Sequence, residues 1–257
     1  MMQLSFDQKK SLYEQGFLQV ANVVPEVMVK AARKRINHSL GQEGMSPEQL
    51  TKHRAQSFAP EIQRSEEIVN LVMKTPAWDY AQSLIGEGTL NPVTGGQIAL
   101  RFPTLLDPAP PPRPHLDGMH TPTNGVPEGK IQNFTLLLGV LLSDLPEPNA
   151  GNFTVWPRTH TLFEEYYREH TPEDLMTGMP RVKMPEPQQI CGKAGDIVLV
   201  HYQTGHTACH NVSDNIRYAI FFRLYREGHG DFCRECMLDI WKEWDGMRDV
   251  IAAMQSG

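Results

Sequence analysis

The stretch that decides the fold is GDIVLVHYQTGHTACHNVSDNIRYAIFFRLY, residues 195–225. It opens with an apolar run that ends at Tyr202, passes through a turn that contains Gly205, and enters a second apolar run at Ile216. Short apolar runs bounded by Gly, Asn and Asp are typical of β-strands. The stretch therefore predicts two strands, over residues 196–202 and 216–225, joined by a polar turn.

Three further apolar segments of strand length precede this stretch, at residues 97–102, 132–142 and 152–156. Strands of this length separated by turn residues indicate an all-β double sheet or barrel. Residues 107–130 are rich in Pro and Gly and predict irregular structure. A long irregular loop inside a compact domain usually carries function, so this loop is expected to border a site.

The remaining segments predict helices on either side of the strands. Apolar residues recur near the helical period between residues 5 and 40, with a short edge strand over 16–20. Residues 66–85 predict a second helical stretch, broken near Pro76, and residues 237–244 predict a helix near the C-terminus.

Helices followed by strands favour a mainly β fold with flanking helices, built on a jelly-roll core. We expect one domain over residues 1–257, with three parts given by approximate bounds. These are a helical layer at about 5–90, the jelly roll at about 95–226, and a helical tail at about 231–257.

Charge and cysteine content exclude several classes of protein. The formal net charge is −6 and no long basic run occurs, so nucleic acid is not an expected partner. The 4 cysteines are too few and too scattered for a secreted disulfide framework. Residues 1–10 lack the apolar character of a signal segment and no apolar run approaches the length of a membrane span, so we expect neither feature. We expect a cytoplasmic protein that acts on a small molecule without a membrane, in an oligomeric state that the sequence leaves unknown.

The first metal-binding signal is the segment Pro114-His115-Leu116-Asp117-Gly118. Residues two apart in extended chain point to the same side, so His115 and Asp117 can converge on one ion. Two histidines and a carboxylate on one face of an octahedron leave three positions open for other ligands. A His-x-Asp pair also occurs by chance, as a loop histidine followed by a turn aspartate.

The third ligand must come from a distant part of the chain, and His201, His206 and His210 are all candidates. His201 equally suits a buried histidine bonded to a backbone carbonyl. His206 and His210 have the spacing of paired ligands on a helix, but Gly205 and the flanking strands argue against a helix there. The residues alone leave this choice open.

Several motifs together resemble the phytanoyl-CoA dioxygenase family. The distal motif consists of residues 195–201 followed by His206, Asn211 and Arg217. Residues 8–18, 36–41, 142–145 and 149–153 resemble the family's N-terminal layer and central strand. Residues 155–160 resemble its Pro-Gly-Ser-His segment, although Arg158 and Thr159 replace Gly and Ser.

This resemblance implies a double-stranded β-helix, cupin-like core and a dioxygenase that uses Fe(II), 2-oxoglutarate and O2, with ascorbate as an in vitro reductant. It implies that His115, Asp117 and His206 hold the iron, and it selects His206 because Arg217 follows eleven positions later. In the family, that arginine binds the far carboxylate of 2-oxoglutarate. Related halogenases have a small residue at the position of Asp117, so the carboxylate favours hydroxylation of a small-molecule metabolite, with release of succinate and CO2.

Supporting residues are predicted on two strands. Relatives often place a glutamine near 2-oxoglutarate, which suggests Gln97 as a cosubstrate contact. The hydroxyl of Thr135 is predicted to bond the cosubstrate carboxylate, the alternative being a strand threonine that faces water. Three arginines hint at an anionic group on the substrate, or else are ordinary structural arginines: Arg101, Arg113 and Arg158.

Other interpretations of the chain remain open. Cys233-x-x-Cys236 with His229 nearby invites a zinc or redox hypothesis, although a lone pair of this kind is weak evidence. One rival function is a jelly-roll metalloenzyme that acts without 2-oxoglutarate. Another is a non-catalytic ligand-binding relative.

Overall fold

The computed structural model describes residues 2–106 and 108–256. Asp107, where the predicted irregular loop begins, lies outside the described residues, as do Met1 and Gly257 at the ends of the predicted domain. The α-helices are α1 Phe6–Gln15, α2 Glu26–Glu43, α3 Leu50–Ala55, α4 Glu66–Met73, α5 Pro76–Ile85, α6 Thr159–Glu169, α7 His229–Phe232, α8 Glu235–Leu238 and α9 Arg248–Gln255. Short 3₁₀ helices cover Pro47–Gln49, Pro172–Met176 and Asp245–Met247. The strands are β1 Phe17–Val20, β2 Gln97–Arg101, β3 Leu136–Leu141, β4 Phe153–Val155, β5 Gln188–Gln189, β6 Ile197–His201, β7 His206–Ala208 and β8 Arg217–Leu224.

The strands form two antiparallel sheets. The larger sheet has five strands in the order β1-β6-β3-β8-β2, and the smaller has three in the order β5-β4-β7. Strands that are distant in the chain lie side by side. Strand β3 pairs with β6 on one side and with β8 on the other. These findings confirm the mainly β, jelly-roll prediction with flanking helices. The predicted edge strand is β1, which pairs with β6.

The larger sheet is buried on both faces, and β3 shows how its sequence achieves this. Leu136, Leu138 and Val140 pack into the core beneath the helices, whereas Leu137 and Leu141 pack into the core shared with the smaller sheet. Strands buried on both faces appear as nearly continuous apolar runs rather than alternating patterns. This double burial explains why the segment around β3 is apolar at almost every position.

The C-terminal segment differs from the single helix predicted over residues 237–244. Helix α8 ends at Leu238, and Asp239 has φ −135° and ψ 84°, which no helix accommodates. The chain continues through turns that bury Ile240 and Trp244 at 1% exposure each. Packing of these side chains against the body of the protein outweighs the local helical preference.

Within residues 2–106 and 108–256, no helix has both the length and the apolar character that a membrane span requires.

Candidate metal and cosubstrate site

The two histidines His115 and His206 lie opposite each other across an antiparallel bridge. The N–H of His115 donates to the carbonyl of His206 at 2.9 Å, and the N–H of His206 donates back at 3.1 Å. The centroids of their rings are 4.5 Å apart. Backbone pairing between the irregular loop and β7 therefore brings the two imidazoles together.

Asp117 completes a cluster with these two imidazoles, called here the candidate triad: His115, Asp117 and His206. Its Oδ1 lies 3.5 Å from Nε2 of His115 and 3.9 Å from Nε2 of His206. All three ligand atoms lie within 4.8 Å of one another. Gly118 turns the chain directly afterwards at φ 95°, a value that favours glycine, and its carbonyl accepts the N–H of Gln132 at 2.9 Å.

The hydrogen bonding of His206 suits a metal ligand. Its Nδ1 lies 2.9 Å from the carbonyl of Thr204, so Nδ1 carries the proton and Nε2 keeps its lone pair towards Asp117. Burial and the neighbouring His115 lower the pKa of His206 to about 4, which keeps the ring neutral. Metals bind neutral imidazole, so the fold prepares this side chain in the required state.

The other two candidate histidines lie elsewhere. His201 is fully buried, with Nε2 at 2.9 Å from the carbonyl of Ile240 and its ring stacked on Trp244. His210 is exposed beyond the end of β7. Of the three histidines considered from the sequence, the structure brings His206 to the His115–Asp117 pair.

Arg223 is a site residue that the sequence analysis missed. Its Nε and Nη2 donate to Oδ2 of Asp117 at 3.0 and 2.8 Å. Burial acts to raise the pKa of Asp117, but Arg223 and the two imidazoles hold it well below its ordinary value. Arg223 shares a strand face with Arg217 on β8, because residues an even number apart project to the same side. That spacing was the available signal.

Arg217 is buried on the same face and is only partly satisfied. Its Nε donates to the carbonyl of Gly151 at 2.7 Å, and its Nη1 donates to the carbonyl of Ala99 at 3.0 Å. Its Nη2 is buried and has no hydrogen-bond partner among the described residues. Burial and the nearby Arg101 lower its pKa to about 9. A buried guanidinium N–H without a partner is costly, and a bound carboxylate would satisfy it.

One cavity of about 540 Å³ contains the candidate triad, Arg217 and Arg223 in its lining. Gln97 also lines this cavity, but its side chain is already engaged. The Oε1 of Gln97 accepts Nη1 of Arg223 at 2.9 Å, and its Nε2 donates to the carbonyl of Ala55 at 3.3 Å. Residues 116–126 of the irregular loop form much of one wall, as expected for a loop that borders a site.

Thr135 does not line the cavity, so the expected cosubstrate contact has no support in the structure. Its hydroxyl donates to Oε2 of Glu243 at 2.8 Å and accepts the N–H of Arg226 at 2.9 Å. Thr135 is unavailable to a cosubstrate because the C-terminal segment covers this end of β3 and leaves Thr135 only 1% exposed.

Thr135 belongs instead to a second group of polar residues, called here the buried cluster: Thr135, His229, Cys236 and Glu243. Nδ1 of His229 lies 2.7 Å from Oε2 of Glu243, and its Nε2 lies 3.1 Å from Oδ1 of Asn133. Cys233 does not join Cys236 in a metal-binding pair, since only Cys236 has its sulfur among the ligand atoms of this cluster. All 4 cysteines are free thiols.

The fold and the candidate triad together define a class of protein. A jelly roll that carries two histidines and one carboxylate, with a guanidinium behind them, is typical of non-haem iron oxygenases that use 2-oxoglutarate.

Comparison with known proteins specifies the family. The sequence model of the phytanoyl-CoA dioxygenase family matches residues 12–219, and the chain belongs to this family. No curated protein sequence matches the chain. Iron(II) is accordingly its expected metal and 2-oxoglutarate its expected cosubstrate.

Solved structures share the fold at low sequence identity. The carbocyclase SnoK from nogalamycin biosynthesis, titled non-heme and alpha ketoglutarate dependent, is 22% identical with a TM-score of 0.51, and 90% of each chain is covered. HygX from Streptomyces hygroscopicus, with nickel and 2-oxoglutarate bound, is 16% identical with a TM-score of 0.58, covering 88% of this chain and 89% of that one. The non-heme monooxygenase ThoJ is 16% identical with a TM-score of 0.59, covering 86% of this chain and 78% of that one.

Proposed function

We propose that this protein is an Fe(II)- and 2-oxoglutarate-dependent dioxygenase that hydroxylates a small-molecule metabolite, with release of succinate and CO2. One observation carries the proposal: the cavity that contains the candidate triad is also lined by Arg217, whose buried Nη2 has no hydrogen-bond partner among the described residues. A dicarboxylate that chelates a metal with one end needs such a cation at the other. We further propose that the whole chain forms one oxygenase domain and acts in the cytoplasm.

In this proposal, His115, Asp117 and His206 hold the iron. Their donor set of two imidazoles and one carboxylate suits ferrous iron and leaves three positions open. Arg217 binds the far carboxylate of 2-oxoglutarate with its guanidinium, whose Nη2 has no partner among the described residues. Gln97 lines the cavity and also helps to hold Arg223 in place, because its Oε1 accepts a hydrogen bond from that guanidinium.

Iron(II), 2-oxoglutarate and O2 together supply an oxidant that can remove a hydrogen atom from an unactivated C–H bond. The protein's own residues set the conditions for that chemistry. Thr204 fixes the tautomer of His206, and Arg223 holds Oδ2 of Asp117 so that Oδ1 faces the two imidazoles. An aspartate held in this way would offer a metal its Oδ1, while Oδ2 stays bonded to Arg223.

Two observations weigh against the rival functions. A jelly-roll metalloenzyme without 2-oxoglutarate has no need for a buried, partly unsatisfied arginine beside the metal residues, which Arg217 is. A non-catalytic relative has no need to retain all three metal residues together with that arginine. The structural neighbours include a carbocyclase, an epimerase and a monooxygenase, so the outcome of the oxidation requires a direct assay.

The test begins with the purified chain loaded with Fe(II) under anaerobic conditions. 2-Oxoglutarate, ascorbate and O2 are then added with a panel of metabolites, and succinate formation and oxygen uptake are followed. We expect a basal succinate release that one class of metabolite stimulates and couples to a hydroxylated product. Oxidation of a metabolite without succinate formation would instead favour the enzyme that acts without 2-oxoglutarate.

A further inference from the structure

The cavity that contains the candidate triad carries more positive charge than the proposed reaction uses. Its lining contains four guanidiniums and a single carboxylate, that of Asp117. The four are Arg54, Arg101, Arg217 and Arg223. Small-molecule sites are usually apolar with a few placed polar groups, so a surplus of cations indicates a ligand of opposite charge.

Two of the four arginines are accounted for by the site itself. Arg223 neutralises Asp117 through two hydrogen bonds. In the proposed function, Arg217 binds the far carboxylate of 2-oxoglutarate. Iron(II) is a dication and 2-oxoglutarate a dianion, so together they add no net charge. The lining therefore keeps its surplus of positive charge after metal and cosubstrate have bound, and Arg54 and Arg101 are the two arginines to which neither Asp117 nor 2-oxoglutarate is assigned.

Arg54 and Arg101 have no protein partner either. Among residues 2–106 and 108–256, neither guanidinium forms an ion pair or a hydrogen bond within the protein. Arg101 is half-buried on β2, directly opposite Arg217 of β8 in the sheet. Burial and the neighbouring Arg54 lower the pKa of Arg101. Holding a half-buried cation beside another cation costs free energy that a bound anion would offset.

The two arginines come from different elements and differ in burial. Arg54 lies on the short helix α3 and is exposed, whereas Arg101 lies on β2 and is half-buried. The same lining includes the apolar side chains of Met119, Val126 and Phe153. The cavity thus combines two cations that have no partner with apolar surface beside the metal residues.

We infer that the substrate is an anion with an apolar body. Its carboxylate or phosphate group binds Arg101 and Arg54, and the apolar part lies against Met119 and Phe153 with a C–H bond near the candidate triad. This inference rests on the proposed function, because it places 2-oxoglutarate on Arg217. Of the three arginines that hinted at an anionic substrate in the sequence, it selects Arg101, since Arg113 and Arg158 do not line the cavity.

The experiment measures binding of matched probes to the Fe(II)- and 2-oxoglutarate-loaded protein by anaerobic calorimetry. The probes are 3-phenylpropanoate with its amide, and phenethyl phosphate with phenethyl alcohol. We expect each anion to bind about ten- to a hundredfold more tightly than its neutral partner, the range of a hydrogen bond to a charged group. Comparison of the two anions shows whether carboxylate or phosphate fits better.

Two variants test whether Arg101 binds the anionic group of the substrate or instead binds 2-oxoglutarate. Arg101→Gln should remove the preference for the anion, and its effect on the anionic probe should exceed its effect on 2-oxoglutarate. The matched control is Arg158→Gln, an exposed arginine outside the cavity, which should keep the preference. Equal binding of neutral and anionic probes, no binding of either anion, or a greater effect of Arg101→Gln on 2-oxoglutarate would each overturn the inference. Failure of 2-oxoglutarate to bind the iron-loaded protein would instead contradict the proposed function, and is measured separately.

Discussion

The candidate triad and the buried cluster use similar side chains but offer different chemistry. Each places a histidine beside a carboxylate and a further donor, with all ligand atoms within 4.8 Å of one another. His206 lines a cavity, and its Nε2 lies 3.9 Å from Oδ1 of Asp117, whereas both ring nitrogens of His229 are already hydrogen-bonded. His115 is half-exposed, with 49% of its side chain accessible, whereas His229 and Glu243 are 4% and 6% accessible at their side chains.

The difference teaches that residue type and proximity do not by themselves make a reactive metal site. Asn133 donates its side-chain N–H to the carbonyl of Cys233, so its Oδ1 acts as an acceptor towards His229. Both ring nitrogens of His229 are thus already engaged, one with Asn133 and the other with Glu243. These hydrogen bonds tie the C-terminal segment to β3. The candidate triad keeps a lone pair and open space for a metal.

The largest expected effect is that of Asp117→Ala. This change removes one of three ligands, so we expect iron affinity to fall by at least about a hundredfold and succinate formation to be lost. Iron bound per chain and succinate release measure the two effects. Asp214→Ala, at an exposed turn, is the control and should behave as wild type. Full turnover in Asp117→Ala would remove the role assigned to this carboxylate.

A substitution in the buried cluster should lower the stability of the protein and leave its metal content unchanged. Glu243→Gln removes the carboxylate that His229 and Thr135 contact, and weakening buried hydrogen bonds costs about 1–3 kcal/mol of unfolding free energy. Chemical denaturation measures this loss, and metal analysis should find one iron per chain in both wild type and variant. A second metal ion in the wild type that disappears in Glu243→Gln would show that both clusters bind metal, and the comparison would fail.

Arg217→Ala tests whether Arg217 binds the far carboxylate of 2-oxoglutarate beside the candidate triad. Loss of a buried, hydrogen-bonded charge partner costs about 2–5 kcal/mol of binding free energy, so the 2-oxoglutarate concentration needed for half-maximal turnover should rise at least about thirtyfold. Arg217→Lys should recover little, because lysine cannot form two parallel hydrogen bonds to a carboxylate. An unchanged dependence on 2-oxoglutarate, at unchanged iron content, would exclude Arg217 as its ligand.

The smallest expected effect is that of Arg223→Met, which frees Oδ2 of Asp117. Partners of metal ligands typically change metal affinity about ten- to a hundredfold, and we expect a loss in that range. Titration of Fe(II) under anaerobic conditions measures it, with the exposed Arg181→Met as the matched control. If iron affinity is the same in both variants, Arg223 does not position Asp117.

Much of this protein followed from local sequence patterns. Short apolar runs bounded by turn residues predicted β2, β3, β4, β6 and β8 to within a few residues at each end. The two-residue spacing of His115 and Asp117 placed both side chains on one side of the chain, and the structure brings them 3.5 Å apart. The positions of the strands and the shared side of His115 and Asp117 depend on residues that are neighbours in the chain.

The tertiary structure decided the rest. The pairing of the irregular loop with β7 places His206 beside His115 and Asp117. His201 is buried elsewhere, where its Nε2 contacts the carbonyl of Ile240. The C-terminal segment covered Thr135 and joined it to Glu243. Each of these outcomes depends on contacts between residues far apart in the chain, and no local pattern encodes which distant backbone will cover a given side chain.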